Sequence, residues 1–78
     1  MPILPNPRDE VARCFRDDAD RTVAVLSRWC RNIDLAEDAL QEAYLTALER
    51  WPTDGFPARP SAWILATARN RLIDRLRR

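Results

Sequence analysis

From Ala36 to Trp51 the apolar residues return every three or four positions. Ala36, Ala39, Leu40, Ala43, Tyr44, Ala47, Leu48 and Trp51 fall on one broad helical face. Half of that face is alanine, and small side chains at this spacing let another helix approach closely. The repeat governs the whole chain, because 78 residues leave room for a single hydrophobic core. A core of that size supplies only about 3–5 kcal/mol unless a staple or a partner helps it. The remaining sequence keeps the helical period: Gly55 is the only glycine, and β-branched residues never alternate with polar ones over a strand-length window. The chain reads as all-α, a compact bundle of three to four helices over residues 7–78. A flexible segment, residues 1–6, precedes it and carries Pro2 and Pro5.

Helix starts and stops divide the bundle. Asn6, Pro7, Asp9 and Glu10 combine a cap, a proline at the first helical position and acids facing the helix dipole. The first helix is expected to run to about Asp17, with Val11, Cys14 and Phe15 turned inward. A second start at Asp18–Asp20 leads into RTVAVLSRWC, which puts Val23, Leu26 and Cys30 on one stripe with Val25 and Trp29 beside it; the two helices are nearly continuous. Asn32 ends that stretch. Asp34, with Glu37 three residues on, begins the next helix, which is expected to reach about Arg50. The segment WPTDGFPARP then holds three prolines and an Asp54-Gly55 turn signal, and is expected to be irregular throughout. Pro60 opens the last helix.

Several function classes drop out. There is no His and no CxxC spacing, so a zinc site lacks ligands and no metal or cofactor is expected. Cys14 and Cys30 read as thiols in a reducing compartment, with one disulfide between neighbouring helices left open. There is no Gly-rich phosphate loop and no nucleophile with a base near it, so the chain does not read as an enzyme. No apolar run approaches the roughly 18 residues of a membrane span, and MPILPNPRDE has neither a basic nor a long apolar leader region. The expected setting is the cytoplasm, without a membrane partner.

All thirteen basic residues are Arg, and their placement is uneven. Residues 1–58 hold seven Arg and eleven acids, whereas residues 59–78 hold six Arg and one acid. The net charge of +1 therefore conceals an acidic and a basic pole. Polyanion binding depends on local positive charge that displaces condensed counterions, which such a pole supplies. The alternatives are a solvated Arg face, or poles that attract one another within the fold.

On the third helix, Asp38, Gln41, Glu42 and Glu49 surround an exposed Leu45, an apolar anchor with an acidic and amide rim suited to a basic helical partner. On the last helix Leu65, Ala68, Leu72 and Leu76 recur at core spacing, supported by Ile64 and Ile73. Thr67, Arg71, Arg75 and Arg78 fall on a second side, and Trp63, Ala66, Asn70 and Arg77 on a third. Arginines beside Phe56, Trp51 and Trp63 form the pairing used for single-stranded nucleic acid, where stacking is worth about 1–3 kcal/mol per base. Trp51 reads as core, Trp63 as either, and Phe56 as surface.

Two segments, DLAEDALQEAYLTALERW and RPSAWILATARNRLIDRLRR, resemble regions 2.1 to 2.4 of the sigma-70 family of bacterial transcription initiation factors. The first is similar to the family's core-polymerase-binding helix and the second to its promoter −10 helix. The short loop between them resembles the extracytoplasmic function group, and ERWPTDGFPARPSAWIL resembles a subgroup with long C-terminal extensions. The resemblance implies that Asp38, Gln41, Glu42, Leu45 and Glu49 dock on the β′ clamp helices of core RNA polymerase. It further implies that the loop and the start of the last helix capture unpaired bases of the −10 non-template strand, with Thr53, Asp54, Phe56 and Arg59 in the stretch that shapes a pocket for a flipped base and Ser61, Trp63 and Thr67 among the DNA-binding residues beyond it. Arg69, Asn70, Arg71 and Arg75 would then hold phosphates or base edges, although Arg69 and Asp74 could instead pair within the fold. No pattern of the family's region 4 precedes Arg78, which fits either an excised domain or a factor that lost its second half, and an excised domain is the expectation. A competing reading is a helical interaction module that binds a regulator, such as an anti-sigma factor, without touching DNA.

Overall fold

The computed structural model describes residues 6–77, which form three helices: α1 (Pro7–Cys30), α2 (Ile33–Asp54) and α3 (Pro60–Leu76). Residues 1–5, expected to be flexible, and Arg78 lie outside the described residues. The expectation of an all-α bundle of three to four helices holds, and the number is three. α1 starts as its residues dictate: the Asn6 side chain accepts a hydrogen bond from the Arg8 N–H at 2.9 Å, and Pro7 occupies the first turn. The two nearly continuous helices expected on either side of Asp17–Asp18 are one uninterrupted helix. No Gly or Pro interrupts the segment, and Asp18 serves as a tertiary acceptor for the Ser61 hydroxyl of α3 rather than as a cap.

The α1–α2 corner takes only Arg31 and Asn32. Arg31 is left-handed (φ 58°) and sends its N–H back to the Ser27 carbonyl at 2.6 Å. Asn32 caps α2, accepting from the Leu35 N–H at 3.1 Å, so the helix begins before the expected start at Asp34. The far end of α2 also outruns expectation. It continues past Arg50 to Asp54 with Pro52 inside, so WPTD is helical and only residues 55–59 form the loop. Burial of Trp51 holds the extra turn against the core. Pro52 has a helix-compatible φ and forgoes one N–H bond there.

α2 is the central helix and packs against both α1 and α3, which touch each other less. Its alanine face is the reason. Ala36, Ala39, Ala43 and Ala47 have no exposed surface, and Leu40, Tyr44 and Trp51 are buried beside them. Val11, Cys14 and Leu26 close the core from α1, and Ile64, Ala68 and Leu72 from α3. Two inward assignments fail. Phe15 is 58% exposed because α1 turns Val11, Cys14 and Leu26 inward instead, and Leu76 is 55% exposed at the last residue of α3, where its neighbour Arg75 is the side chain turned toward α2. Cys14 and Cys30 are free thiols; burial raises the pKa of Cys14 and so keeps it protonated.

Gly55 ends α2 at φ 87° and ψ 166°, a conformation that strains any other residue, while an added Cβ would meet nothing within 4 Å. Gly55→Ala should therefore cost about 1–2 kcal/mol in urea unfolding from backbone strain alone, and unchanged stability would refute that account. Burial pushes the Tyr44 phenol up to about 12, against about 10 when unfolded. The fold favours the protonated phenol, so this contribution is complete below pH 10 and is lost as pH rises toward 12. No Lys titrates in that window. Stability of wild type should fall across it, with the buried Cys14 thiol adding a slope of the same sign, and Tyr44→Phe should make the fall shallower while Tyr44→Phe with Cys14→Ala removes most of it.

Candidate docking and nucleic-acid surfaces

The outward face of α2 presents Asp38, Gln41, Leu45 and Glu49 to solvent, with Glu42 half-buried. Leu45 is 61% exposed, as its place among acids predicts. Gln41 also lines a groove of about 600 Å³ between α1 and α2, together with Phe15, Val23, Ile33, Glu37 and Tyr44. Phe15 meets the Tyr44 ring edge-on, with centroids 5.7 Å apart. The misassigned Phe15 is thus a wall of this groove, next to the face that the sequence singled out.

At the opposite end of α2, three aromatic rings support the loop. Buried Trp51 meets Phe56 and Trp63 edge-to-face, at 5.7 and 5.4 Å between centroids. Among the described residues the Trp51 indole N–H has no acceptor. Phe56 is exposed at the loop and Trp63 half-buried at the start of α3, while Thr53 and Asp54 sit on the last turn of α2 rather than in a loop. Arg59 and Phe56 lie on the surface near them. Ser61 has a partner within the fold: its hydroxyl donates to the Asp18 carboxylate, tying the start of α3 to α1.

The arginines of α3 fan out to both neighbouring helices. Arg69 lies over the Trp29 ring of α1, 5.8 Å from its centroid, and not against Asp74. Arg71 donates to the Thr46 hydroxyl of α2 at 3.4 Å. Arg75 pairs with Glu42 and, at 3.6 Å, with Asp38. The acidic and basic poles are therefore not on separate sides of the bundle. They meet where α2 and α3 pack, because the alanine face brings the helices close enough for a long Arg side chain to cross. Pairs exposed to this degree contribute about 0–1 kcal/mol each. Among the described residues Arg59, Arg69, Arg71 and Arg77 join no ion pair, so positive charge remains on Arg59 at the loop and along the C-terminal half of α3. Asn70 is exposed and Thr67 half-buried on the same helix.

Sequence reasoning missed the Ser61–Asp18 tie and the Arg69–Trp29 stack. Both join residues about 40 positions apart, and neither leaves a periodic mark on its own helix. Among the described residues no three His, Cys, Asp or Glu side chains gather as a metal site, and no helix is long and apolar enough to cross a membrane.

Comparison with known proteins is consistent with this arrangement. The family model for sigma-70 region 2 matches residues 14–78, which takes in most of α1 and all of α2, the loop and α3. An uncharacterised protein of Rhizobium meliloti (strain 1021) is 47% identical over 58 residues, which is 74% of this chain and 14% of that protein. The chain thus spans about a seventh of the relative it matches. No solved structure matches it. A helical bundle whose central helix exposes an acidic, Leu-anchored face, and whose last helix follows an aromatic loop and carries arginines in its C-terminal half, here coincides with a family match over residues 14–78: the chain belongs to the sigma-70 region 2 family.

Proposed function

We propose that this domain docks on core RNA polymerase through α2 and recognises the promoter −10 element through its non-template strand, as part of a factor of the extracytoplasmic function group. Membership of the sigma-70 region 2 family supports the general role in transcription initiation. The observation that carries the finer reading is the exposed Leu45, set among Asp38, Gln41 and Glu49 and adjoining the α1–α2 groove. An apolar anchor within a rim of acids and an amide suits a basic helical partner such as the β′ clamp helices. The domain performs no covalent chemistry in this reading. It contributes position, by holding an unpaired strand against the polymerase.

For the strand, Phe56 and Arg59 of the loop, with Thr53, Asp54 and Trp63 flanking it, form the proposed pocket for a flipped base. Edge-to-face packing on Trp51 supports this, because it fixes Phe56 and Trp63 before any base arrives. Arg69, Asn70, Arg71 and Thr67 would follow the strand along α3, contacting phosphates that set its register. Ser61 and Arg75 take lesser parts than their sequence positions suggest, since each already has a partner in the bundle. The pairing of Arg75 with Asp38 and Glu42 favours a second reading, in which the α2 face binds a regulatory protein and DNA is irrelevant.

Two experiments separate the readings. Leu45→Arg combined with Gln41→Arg, both at exposed positions, should abolish co-purification with core RNA polymerase while leaving helicity unchanged; retained binding would refute the docking face. Arg71→Ala should weaken binding of a single-stranded −10 oligonucleotide and flatten its salt dependence, with the slope of log K against log salt falling by roughly 0.7 if Arg71 neutralises one phosphate. If wild type binds such strands with no sequence preference at any salt concentration, base reading is excluded.

A further inference from the structure

A second groove, of about 340 Å³, lies between the C-terminal half of α1 and the N-terminal half of α3. Val25, Ala62, Leu65 and Ala66 line it together with Trp29 and Arg69. Three observations bear on what it takes. Trp29 leaves 48% of its surface to solvent although it is the largest apolar side chain in the groove, and the guanidinium of Arg69 holds its ring from one side. Ala62, Ala66 and Arg69 are spaced i, i+4, i+7 on α3, so two small residues leave open the approach to the ring that a larger side chain would block. Among the described residues no carboxylate lines the groove, and its one charged side chain is a cation.

An aromatic face joined to a guanidinium, over an apolar floor and without acids, is complementary to a planar anion-bearing group. Its volume is at the low end of the roughly 300–1,000 Å³ of small-ligand pockets, which suits one planar ring system better than the ridge of a helix. Ser61, beside the loop, and Arg69 are eight residues apart on α3, roughly 12 Å along its axis. A strand held at the loop and running along the α1 side of α3 would meet this groove next. We infer that the α1–α3 groove is a nucleobase subsite, in which an unpaired base of a single strand stacks against Trp29 while the adjoining phosphate meets Arg69. The inference rests on the proposed single-strand binding, and it adds α1 to a surface otherwise assigned to the loop and α3.

Abasic scanning tests it. Short single-stranded −10 oligonucleotides, each lacking one base, are titrated against the full chain and against Trp29→Ala, Trp29→Phe and Ala66→Glu, with helicity checked by circular dichroism. Wild type should lose about five-fold or more in affinity when the base at one position is removed, a loss of the size that one stacked base supplies. Trp29→Ala should show that loss on the intact strand and be indifferent to removal of the same base, with an unchanged salt slope because every phosphate-binding arginine is still present. Trp29→Phe should retain most of the affinity. Ala66→Glu, at an exposed helical position, should give a similar loss without touching Trp29, which covers the case in which Trp29→Ala does not fold. The subsite is overturned if Trp29→Ala and Ala66→Glu bind every strand as wild type does, or if they weaken binding of core RNA polymerase and leave DNA binding intact, which would make the groove a protein-docking site. A wild type that binds no strand at all overturns the single-strand reading itself, and the subsite with it.

Discussion

The close approach that the alanine face of α2 permits is the condition on which the rest of the molecule depends. Ala36, Ala39, Ala43 and Ala47 present no surface to solvent and almost no volume to their neighbours, so α1 and α3 can both lie against one helix. Enlarging any one of them would overpack a core that has nowhere to expand, at a cost of about 1–3 kcal/mol. For so small a domain that is a large share of the total stability. The functional surfaces inherit their geometry from this contact. The α1–α2 groove, the α1–α3 groove and the Arg75 crossing all exist because three helices share one narrow axis.

That same closeness limits how far charge can be kept apart. The chain places an acidic face on α2 and a basic helix next to it, and at this separation long arginines reach across. Arg75 is drawn onto Asp38 and Glu42, Arg71 onto Thr46, and Arg69 away toward Trp29. The basic helix is thus partly engaged by the bundle and partly presented to solvent. Which arginines fall in which group is decided by helical phase: positions 71 and 75 face α2, whereas 69 faces α1.

What could be read from the sequence was whatever repeats or punctuates. The α2 face was legible because eight apolar residues keep one period, and the exposure of Leu45 followed from its position opposite them. Asn6 with Pro7, and Pro60, marked helix starts because their chemistry is local. The errors arose where tertiary contact overrode a local signal. Asp18 and Asp20 resemble a helix start, yet Asp18 is held by Ser61 from another helix. Pro52 resembles a helix end, yet the burial of Trp51 carries α2 through it. Phe15 resembles core, yet α1 has only one inward stripe and Cys14 already fills it. Within the candidate site the residue types were legible, but their partners were not, because contacts such as Ser61–Asp18 and Arg75–Glu42 join residues far apart in sequence.

The two-residue corner at Arg31 and Asn32 has a kinetic side. With so short a connection, α1 and α2 meet at little loop-closure entropy, and the five residues of the second link add only slightly more. Folding this bundle therefore needs few encounters between distant parts of the chain, which puts it among the topologies that fold within microseconds to milliseconds. A topology of that kind limits the time spent in any opened state before it closes again.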